Sequence, residues 1–242
     1  SPSLALLPLS AVLTILVLWR VSAFAGKRLA LSRQTLGTFV VGAMIMNLAV
    51  EYPFVLAAWG DDGIARLALF DFGNGVVTLT FTYALACWYG AGGGRVTRTL
   101  RGLAAFPPFW ALVIALAMNG SGVSLPDPVH EAVAAFGRYA VLLVMVALGI
   151  HFDLRQVPMR PALTAIALRC GVGLLLGWAW VSVFALEGLA RSVVLVGTAA
   201  PVGFNTLVFA SLENLDRELA AGIVSLSLLL AMVYLPVLLL VL

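Results

Sequence analysis

Charged side chains are scarce in this sequence, and their scarcity excludes an ordinary soluble fold. Only 10% of the 242 residues are Asp, Glu, Lys or Arg, whereas 62% are hydrophobic and the mean hydropathy is +1.08. A soluble domain carries about 45–50% apolar and about 25% charged residues. The composition therefore predicts a protein that crosses a membrane several times, with lipids as its surroundings.

Residues that support metal, hydrolytic or phosphate chemistry are equally few. The two cysteines, Cys87 and Cys170, lie in apolar stretches, and the two histidines, His130 and His151, lie at opposite ends of another. The sequence contains no HExxH motif, no P-loop and no metal or disulfide spacing. Its basic residues are scattered rather than clustered, which disfavours nucleic acid as a partner. We therefore expect no enzymatic activity, no metal and no cofactor.

Apolar runs long enough to cross a bilayer are abundant. A transmembrane helix needs about 20 mostly apolar residues, and we name the candidate stretches spans A to H. Because the connections are short, the sequence predicts an all-α bundle of eight transmembrane helices without a separate soluble domain. The spans cover residues 4–24 (A), 37–59 (B), 66–90 (C), 103–119 (D), 131–151 (E), 161–186 (F), 190–211 (G) and 219–242 (H).

The basic residues between the spans indicate how the helices are oriented. Loops on the cytoplasmic side of a membrane carry an excess of Lys and Arg. Alternate links are basic here, which places the A–B, C–D and E–F links inside and makes spans B and G run in opposite directions. These links contain Lys27, Arg28 and Arg33, then Arg95, Arg98 and Arg101, and finally Arg155 and Arg160.

Spans B and G share an interruption in which an asparagine lies near a proline. Span B contains Asn47 and Pro53, and span G contains Pro201, Phe204 and Asn205. A proline breaks helical hydrogen bonding, and a break inside a membrane is tolerated where it faces protein or a polar cavity. Paired breaks in opposite orientation indicate a transporter binding site, so these five residues are predicted to bind the substrate. The alternative is two ordinary proline kinks with asparagine hydrogen bonds between helices.

The order of the spans indicates an inverted repeat. Spans A–C and F–H each place an interrupted span between two long ones, whereas D and E have no counterpart before A. A repeat of five plus five helices needs two more spans upstream, and the sequence begins with Ser1 rather than Met. We therefore expect that the first two helices are missing and that residues 1–242 alone do not transport.

Several parts of the sequence resemble the auxin efflux carrier family. The stretch 195–242, LVGTAAPVGFNTLVFASLENLDRELAAGIVSLSLLLAMVYLPVLLLVL, is similar to the C-terminal end of that family through its A-x-P-x-x-x-N pattern and its ELAAGIVSLS run. Residues 47–74 are similar to the first crossover helix of the family, with an N-x5-P pattern followed by FDFGN. The Phe106-Pro107-Pro108 run is similar to the start of a later helix. The resemblance covers nearly the whole chain from span B onward.

The resemblance implies a fold of ten transmembrane helices in two inverted repeats of five, with two broken crossover helices. Residues 1–90 (crossover 37–59) and 161–242 (crossover 190–211) would then form the transport domain, and residues 103–151 half of the scaffold. The implied function is secondary active transport of a small organic anion, chiefly a carboxylate, by elevator-type alternating access. The resemblance also implies a multi-pass protein of a bacterial inner (plasma) membrane and a homodimer formed through the scaffold.

Two other functions remain open at this point. A sodium-coupled carrier similar to the bile acid symporters would have a similar fold and would differ by its dependence on sodium. A membrane subunit without transport activity is less favoured, because such a protein has no need of two broken helices at inverted positions.

Two acidic residues near the first crossover bear on ion coupling. Glu51 replaces the small residue that the family often has shortly before the crossover proline, and an acid inside a membrane span is usually functional. It is predicted to couple transport to a proton or another ion. The alternative is an acid near the outer mouth of the protein, or one paired with Arg66 or Arg138. Asp71 and Asn74 lie one helical turn apart and are predicted to brace the crossover. Asp71 is also a second candidate for proton or sodium coupling.

One basic residue, Arg169, lies several residues inside span F. Its long side chain is predicted to extend to an interface or to pair with an acid. A direct contact with a negatively charged substrate is the alternative.

Overall fold

In a computed structural model, which describes residues 2–91, 93–123, 125–150 and 157–242, the regular structure is helical apart from one isolated antiparallel bridge between Met46 and Val202. The first half contains α1 (Pro2–Arg28), α2 (Arg33–Met44), α3 (Leu48–Val77), the π-helix π1 (Thr78–Thr82), α4 (Tyr83–Tyr89), α5 (Val96–Ala104), α6 (Pro107–Ser121) and α7 (Asp127–Ile150). The second half contains α8 (Met159–Ile166), the π-helix π2 (Ala167–Val172), α9 (Gly173–Val183), α10 (Gly188–Ala199), α11 (Asn205–Leu212) and α12 (Arg217–Val241).

The predicted all-α membrane fold is confirmed. Among the described residues, four helices are long and apolar enough to cross a bilayer, and a fifth span is added if the bent pair α5–α6 counts as one. A helix satisfies its backbone hydrogen bonds internally, which the hydrocarbon core of a bilayer requires. The four long helices are Leu4–Arg28, Leu48–Tyr89, Met159–Val183 and Arg217–Val241.

Spans B and C are joined by a single residue rather than by the expected loop. Gly60 has φ 60° and ψ −154°, a backbone conformation that glycine adopts without steric penalty. A Cβ on Gly63 would lie only 3.0 Å from a methyl carbon of Val55. Val55 and Gly63 are eight residues apart, and eight residues of straight helix would span about 12 Å. The close approach of these two residues therefore requires the chain to fold back at Gly60. Helix α3 therefore consists of two arms, 48–59 and 61–77.

Span D begins at a bend. The sequence predicts one span over 103–119, but α5 ends at Ala104 and α6 begins at Pro107, with 65° between the two helices. Phe106 is extended (φ −87°, ψ 108°), as a residue that precedes proline usually is. A proline is well suited to the first turn of a helix. The Phe106-Pro107-Pro108 run therefore ends one helix and starts the next.

The helices α2 and α10 lie at the centre of the packing. Residues 37–44 of α2 and 192–199 of α10 are buried on every side, which is the pattern of a helix enclosed by others. Helices α1, α3, α9 and α12 pack around one or both of them. The fully buried side chains include Phe39, Phe70 and Leu195. Because α2 and α10 are the first halves of the broken spans B and G, the breaks at their ends lie deep inside the protein.

Some sequence predictions fall outside the described residues. His151 and Arg155 belong to the range 151–156, and the side chain of Arg138 is also outside the described part. The orientation in the membrane and the division into transport domain and scaffold stay predictions.

Gly73 and Gly75 provide a matched test of the contact between α1 and α3. A Cβ on Gly73 would overlap the carbonyl oxygen of Pro8, whereas a Cβ on Gly75 would meet no described atom within 4 Å. Both alanine substitutions gain about 1 kcal/mol of helix propensity, so the difference between them reports the overlap. We expect Gly73→Ala to melt about 2–12 °C below Gly75→Ala, because overpacking costs about 1–3 kcal/mol. Thermal unfolding in detergent measures this difference, and equal melting temperatures would contradict the close helix contact.

Candidate substrate-binding site

The two broken spans meet at their breaks. We name residues 45–47, between α2 and α3, the first break, and residues 200–204, between α10 and α11, the second break. The backbone N–H of Asn47 donates to the carbonyl oxygen of Pro201 at 2.9 Å, and the N–H of Gly203 donates to that of Ile45 at 3.0 Å. The breaks thus pair as two short antiparallel segments, which satisfies backbone groups that unwinding leaves free.

A side chain completes the hydrogen bonding of the first break. The amide of Asn74, on the second arm of α3, accepts from the N–H of Met46 and donates to its carbonyl oxygen, both at 3.4 Å. Asn74 also donates to a carboxylate oxygen of Asp71 at 3.0 Å. Asn74 thus holds the first break directly, and Asp71 contacts the break only through Asn74.

Helix α12 and the π-helix π2 complete the second break. The hydroxyl of Ser227 accepts from the N–H of Val202 at 3.1 Å, and the hydroxyl of Tyr234 donates to the carbonyl oxygen of Ala199 at 2.7 Å. The thiol of Cys170 points to the carbonyl oxygen of Ala200 at 3.8 Å. Sequence reasoning did not single out Ser227 or Tyr234. In the sequence, the feature that could have indicated their role is a hydroxyl group within the apolar span H.

A cavity of about 320 Å³ opens beside the paired breaks. Four of the predicted site residues line it, namely Asn47, Asp71, Phe204 and Asn205. The remaining lining comes from both breaks, the start of α3, and the region where its second arm enters π1. These residues are Ile45, Met46, Leu48, Ala49, Asn74, Gly75, Thr78, Leu79 and Gly203. The structure thus brings together residues from both crossovers around one space.

The two predicted prolines do not line this cavity. Pro201 is buried within the second break, where its carbonyl oxygen accepts from Asn47. Pro53 lies inside α3, well after the first break, so the prediction that it interrupts span B is wrong. The chain unwinds before Asn47 because its backbone groups are paired with the second break there. Pro53 instead borders a separate apolar pocket of about 370 Å³, together with Phe204 and residues of α12.

One polar group in the cavity has no protein partner. Asn47 is 3% exposed, and its side-chain Nδ2 has no hydrogen-bond acceptor among the described residues. Asn47 also precedes the first residue of α3 without capping that helix with its side chain. Asn205 begins α11 at the other side of the cavity and is exposed. The unpartnered amide nitrogen of Asn47, the exposed Asn205 and two helix N-termini, which carry partial positive charge, therefore border this space.

Comparison with known proteins identifies the family. A sequence model of the family described as membrane transport protein matches residues 95–239. The chain belongs to this auxin efflux carrier family. An uncharacterized transporter of Methanothermobacter thermautotrophicus is 29% identical over 228 residues, which are 92% of this chain and 72% of that protein. An uncharacterized transporter of Methanocaldococcus jannaschii is 24% identical over 198 residues, 79% of this chain and 64% of that protein.

Membership of the auxin efflux carrier family decides the general class of activity. The protein is an integral, multi-pass membrane transporter and not an enzyme. The residues that match the family include the second break, whereas the first break lies before them. The archaeal relative that aligns with most of the chain extends the similarity to the first half.

The structure of this auxin efflux carrier family member places Glu51 away from the cavity. Glu51 is fully buried in the first turn of α3, and among the described residues neither of its oxygens has a hydrogen-bond partner. The alternative that it pairs with Arg66 is wrong, because Arg66 lies 3.7 Å from Asp62 instead. The positive charge that acts on Glu51 belongs to Arg169, which is also fully buried. Arg169 does not line the cavity, so a direct contact with a substrate there is not supported.

Asn74 and Asn47 allow a matched test of which asparagine supports the break. Replacing Asn74 with alanine leaves both backbone groups of Met46 without their partner, and each buried unsatisfied group costs about 1–3 kcal/mol. We expect Asn74→Ala to lower the melting temperature by several degrees. Asn47→Ala removes a side-chain amide whose Nδ2 bonds to no described residue. We expect this variant to melt like the unmodified protein. Equal destabilisation by both variants would contradict this description of the break.

Proposed function

We propose that this protein is a secondary active transporter that carries a small organic anion, a carboxylate, across a plasma membrane by elevator-type alternating access. The observation that carries the proposal is the buried, unpartnered amide of Asn47 in a cavity formed where two broken helices cross. A carboxylate accepts hydrogen bonds and carries the charge that helix N-termini favour. It therefore complements the donors of this cavity.

The roles of the other lining residues follow from their positions. Asn205 would donate a second hydrogen bond from the start of α11. Phe204 borders both the polar cavity and the apolar pocket that contains Pro53, so an apolar part of the substrate could pack against its ring. Pro201 would act indirectly, by holding Asn47 through its carbonyl oxygen. This arrangement favours an anion with one polar end and one apolar end.

Asp71 gives the cavity a group that can respond to protons. It is the charged residue of the described lining, and it borders the same space as Asn47 and Asn205. An ionised Asp71 repels a carboxylate, whereas a protonated Asp71 does not. Anion binding would therefore be favoured with a proton on Asp71, which links the movement of the substrate to that of a proton. Glu51 lies outside the cavity, and a negative charge on Asp71 disfavours a second negative charge on Glu51.

The pairing of the breaks supports movement of the site as one body. Both breaks are buried and are joined by two backbone hydrogen bonds, so they cannot separate without leaving polar groups unsatisfied in an apolar interior. A mechanism that opens the protein between the two breaks would need that separation. An elevator-type movement, which shifts the whole site relative to a scaffold, leaves the pairing intact.

Substitutions at Asn47 and Gly75 test the cavity as the substrate site. Loss of a hydrogen bond to a charged group costs about 1.5–3 kcal/mol, so Asn47→Ala is expected to raise the KM for the transported anion about 10- to 100-fold. Gly75→Leu fills the cavity from a position with no described atom within 4 Å of its Cβ, and we expect it to abolish uptake. Gly120→Leu is the matched control, because Gly120 has equally open space but lies in α6.

The measurement is uptake of labelled carboxylates into liposomes that contain the purified full-length protein. The variants are compared only when their melting temperatures match that of the unmodified protein. Uptake that is unaffected by both Asn47→Ala and Gly75→Leu would exclude this cavity as the substrate site. A panel in which no carboxylate is transported would exclude the proposed substrate class.

The pH dependence of transport tests the role of Asp71. Lowering the pH adds a proton to Asp71 and removes the negative charge that opposes the anion, so uptake is expected to rise as the pH falls. Asp71→Asn keeps the side-chain shape without the charge and is expected to bind the anion with little dependence on pH. Because Asn74 donates to Asp71, the variant must first be shown to fold by thermal unfolding. An unchanged pH profile in Asp71→Asn would contradict this role.

A further inference from the structure

Arg169 lies where the first halves of both broken helices end. Its Nη2 donates to the carbonyl oxygen of Thr198 at 2.6 Å, and its Nη1 lies 3.4 Å from the carbonyl oxygen of Met44. Met44 is the last residue of α2, and Thr198 is in the last turn of α10. The C-terminal ends of helices carry partial negative charge and favour a cation. The fully buried guanidinium thus joins two such ends at one point.

The surrounding oxygen atoms are of the kind that binds a hard metal cation. Main-chain carbonyl oxygens and carboxylates are the ligands of such cations, and the unwound carbonyls of broken helices coordinate sodium in coupled transporters. Here the carbonyl oxygens of Met44 and Thr198 accept from Arg169, and those of Ala199 and Ala200 face Tyr234 and Cys170. An arginine side chain occupies the position in which a free cation would find these ligands.

One acidic side chain, Glu51, is buried close enough to Arg169 for their charges to interact. Both side chains are fully buried, and the charge of each acts on the other, although no N–O distance within 4.0 Å joins them among the described residues. A buried charge is stable only when an opposite charge or hydrogen bonds compensate it. Among the described residues, the other titratable groups that act on this pair are Asp71, Cys170 and Tyr234.

A glycine makes the position of the guanidinium possible. A Cβ on Gly173 would overlap the carbonyl oxygen of Thr198 and lie 2.6 Å from Nη2 of Arg169. Arg169 itself belongs to the π-helix π2, and π-helical turns often occur at functional sites. The local backbone is thus shaped to let this side chain reach the end of α10.

We propose that Arg169 is a tethered cation that holds the two breaks together in place of a bound sodium ion, so that transport by this protein does not depend on sodium. The claim that transport is independent of sodium rests on the proposed function, whereas the claim that Arg169 holds the breaks together does not. The proposal addresses the sodium-coupled alternative directly, because a fixed guanidinium excludes a second cation from the same oxygen atoms. Arg169 is a positioning residue, since it acts on the breaks and not on the substrate.

The first test compares thermal unfolding in sodium chloride and in choline chloride at equal ionic strength. We expect the melting temperature of the unmodified protein to be the same in both salts. Arg169→Ala is expected to melt lower in choline chloride and to regain a few degrees with sodium, or with millimolar guanidinium, which restores the missing group. Urea at the same millimolar concentration is the control for guanidinium, since it is uncharged. Arg169→Lys keeps the charge and is expected to melt without a response to sodium.

Each outcome of this test supports or overturns the proposal. Sodium-dependent stabilisation of the unmodified protein would overturn it, and so would an Arg169→Ala variant that responds to neither cation. If Arg169→Ala does not fold, a folded Arg169→Lys variant that is insensitive to sodium supports the proposal. An Arg169→Lys variant that is stabilised by sodium, or that also fails to fold, overturns it.

The second test uses transport of the anion found in the liposome panel. Uptake by the unmodified protein is expected to be unchanged when choline replaces sodium, and uptake by Arg169→Ala is expected to require sodium or guanidinium. Unmodified uptake that falls without sodium would overturn the proposal. The thermal test needs no substrate, so failure of the proposed function and failure of the tethered cation are distinguishable.

Discussion

The fold depends on the backbone pairing between two breaks in opposed helices. Two hydrogen bonds, from Asn47 to Pro201 and from Gly203 to Ile45, join segments that come from opposite ends of the sequence. In an apolar interior an unpaired peptide group costs several kcal/mol, and water is not at hand to replace the partner. Each break is therefore tolerated only because the other one faces it. The surrounding helices must hold α2 and α10 in register for this pairing to form.

The crossing of the two broken spans also separates the partial charges at the ends of their helices. The second halves of both broken spans begin at the cavity, with Asn47 and Asn205 at their N-terminal ends. The first halves end outside the cavity lining, where Arg169 bonds to the carbonyl oxygens of Met44 and Thr198. Helix dipoles are thus positive toward the cavity and negative toward the buried arginine. The same crossing therefore favours negative charge at the cavity and positive charge at Arg169.

Much of this arrangement could be predicted from the sequence, and the remainder depends on contacts between distant segments. Apolar length indicates the spans, and the Asn and Pro residues indicate which spans are broken. The orientation that the charge bias favours stays a prediction. Periodicity also suggested the brace by Asp71 and Asn74. The position of the first break could not be found in this way, because it is set by pairing with residues 200–204 rather than by Pro53. Arg169 meets Met44 across more than a hundred residues, and no local pattern reports that contact.

The different composition of the two breaks follows from the donors that each must satisfy. In the first break the N–H groups of Ile45, Met46 and Asn47 bond to Val41, Asn74 and Pro201 respectively. In the second break Pro201 has no N–H group, so this break needs one hydrogen-bond acceptor fewer. The neighbouring N–H of Val202 is satisfied by Ser227. The first break thus satisfies the N–H of Met46 with the amide of Asn74, whereas the second break has one N–H fewer to satisfy because of Pro201.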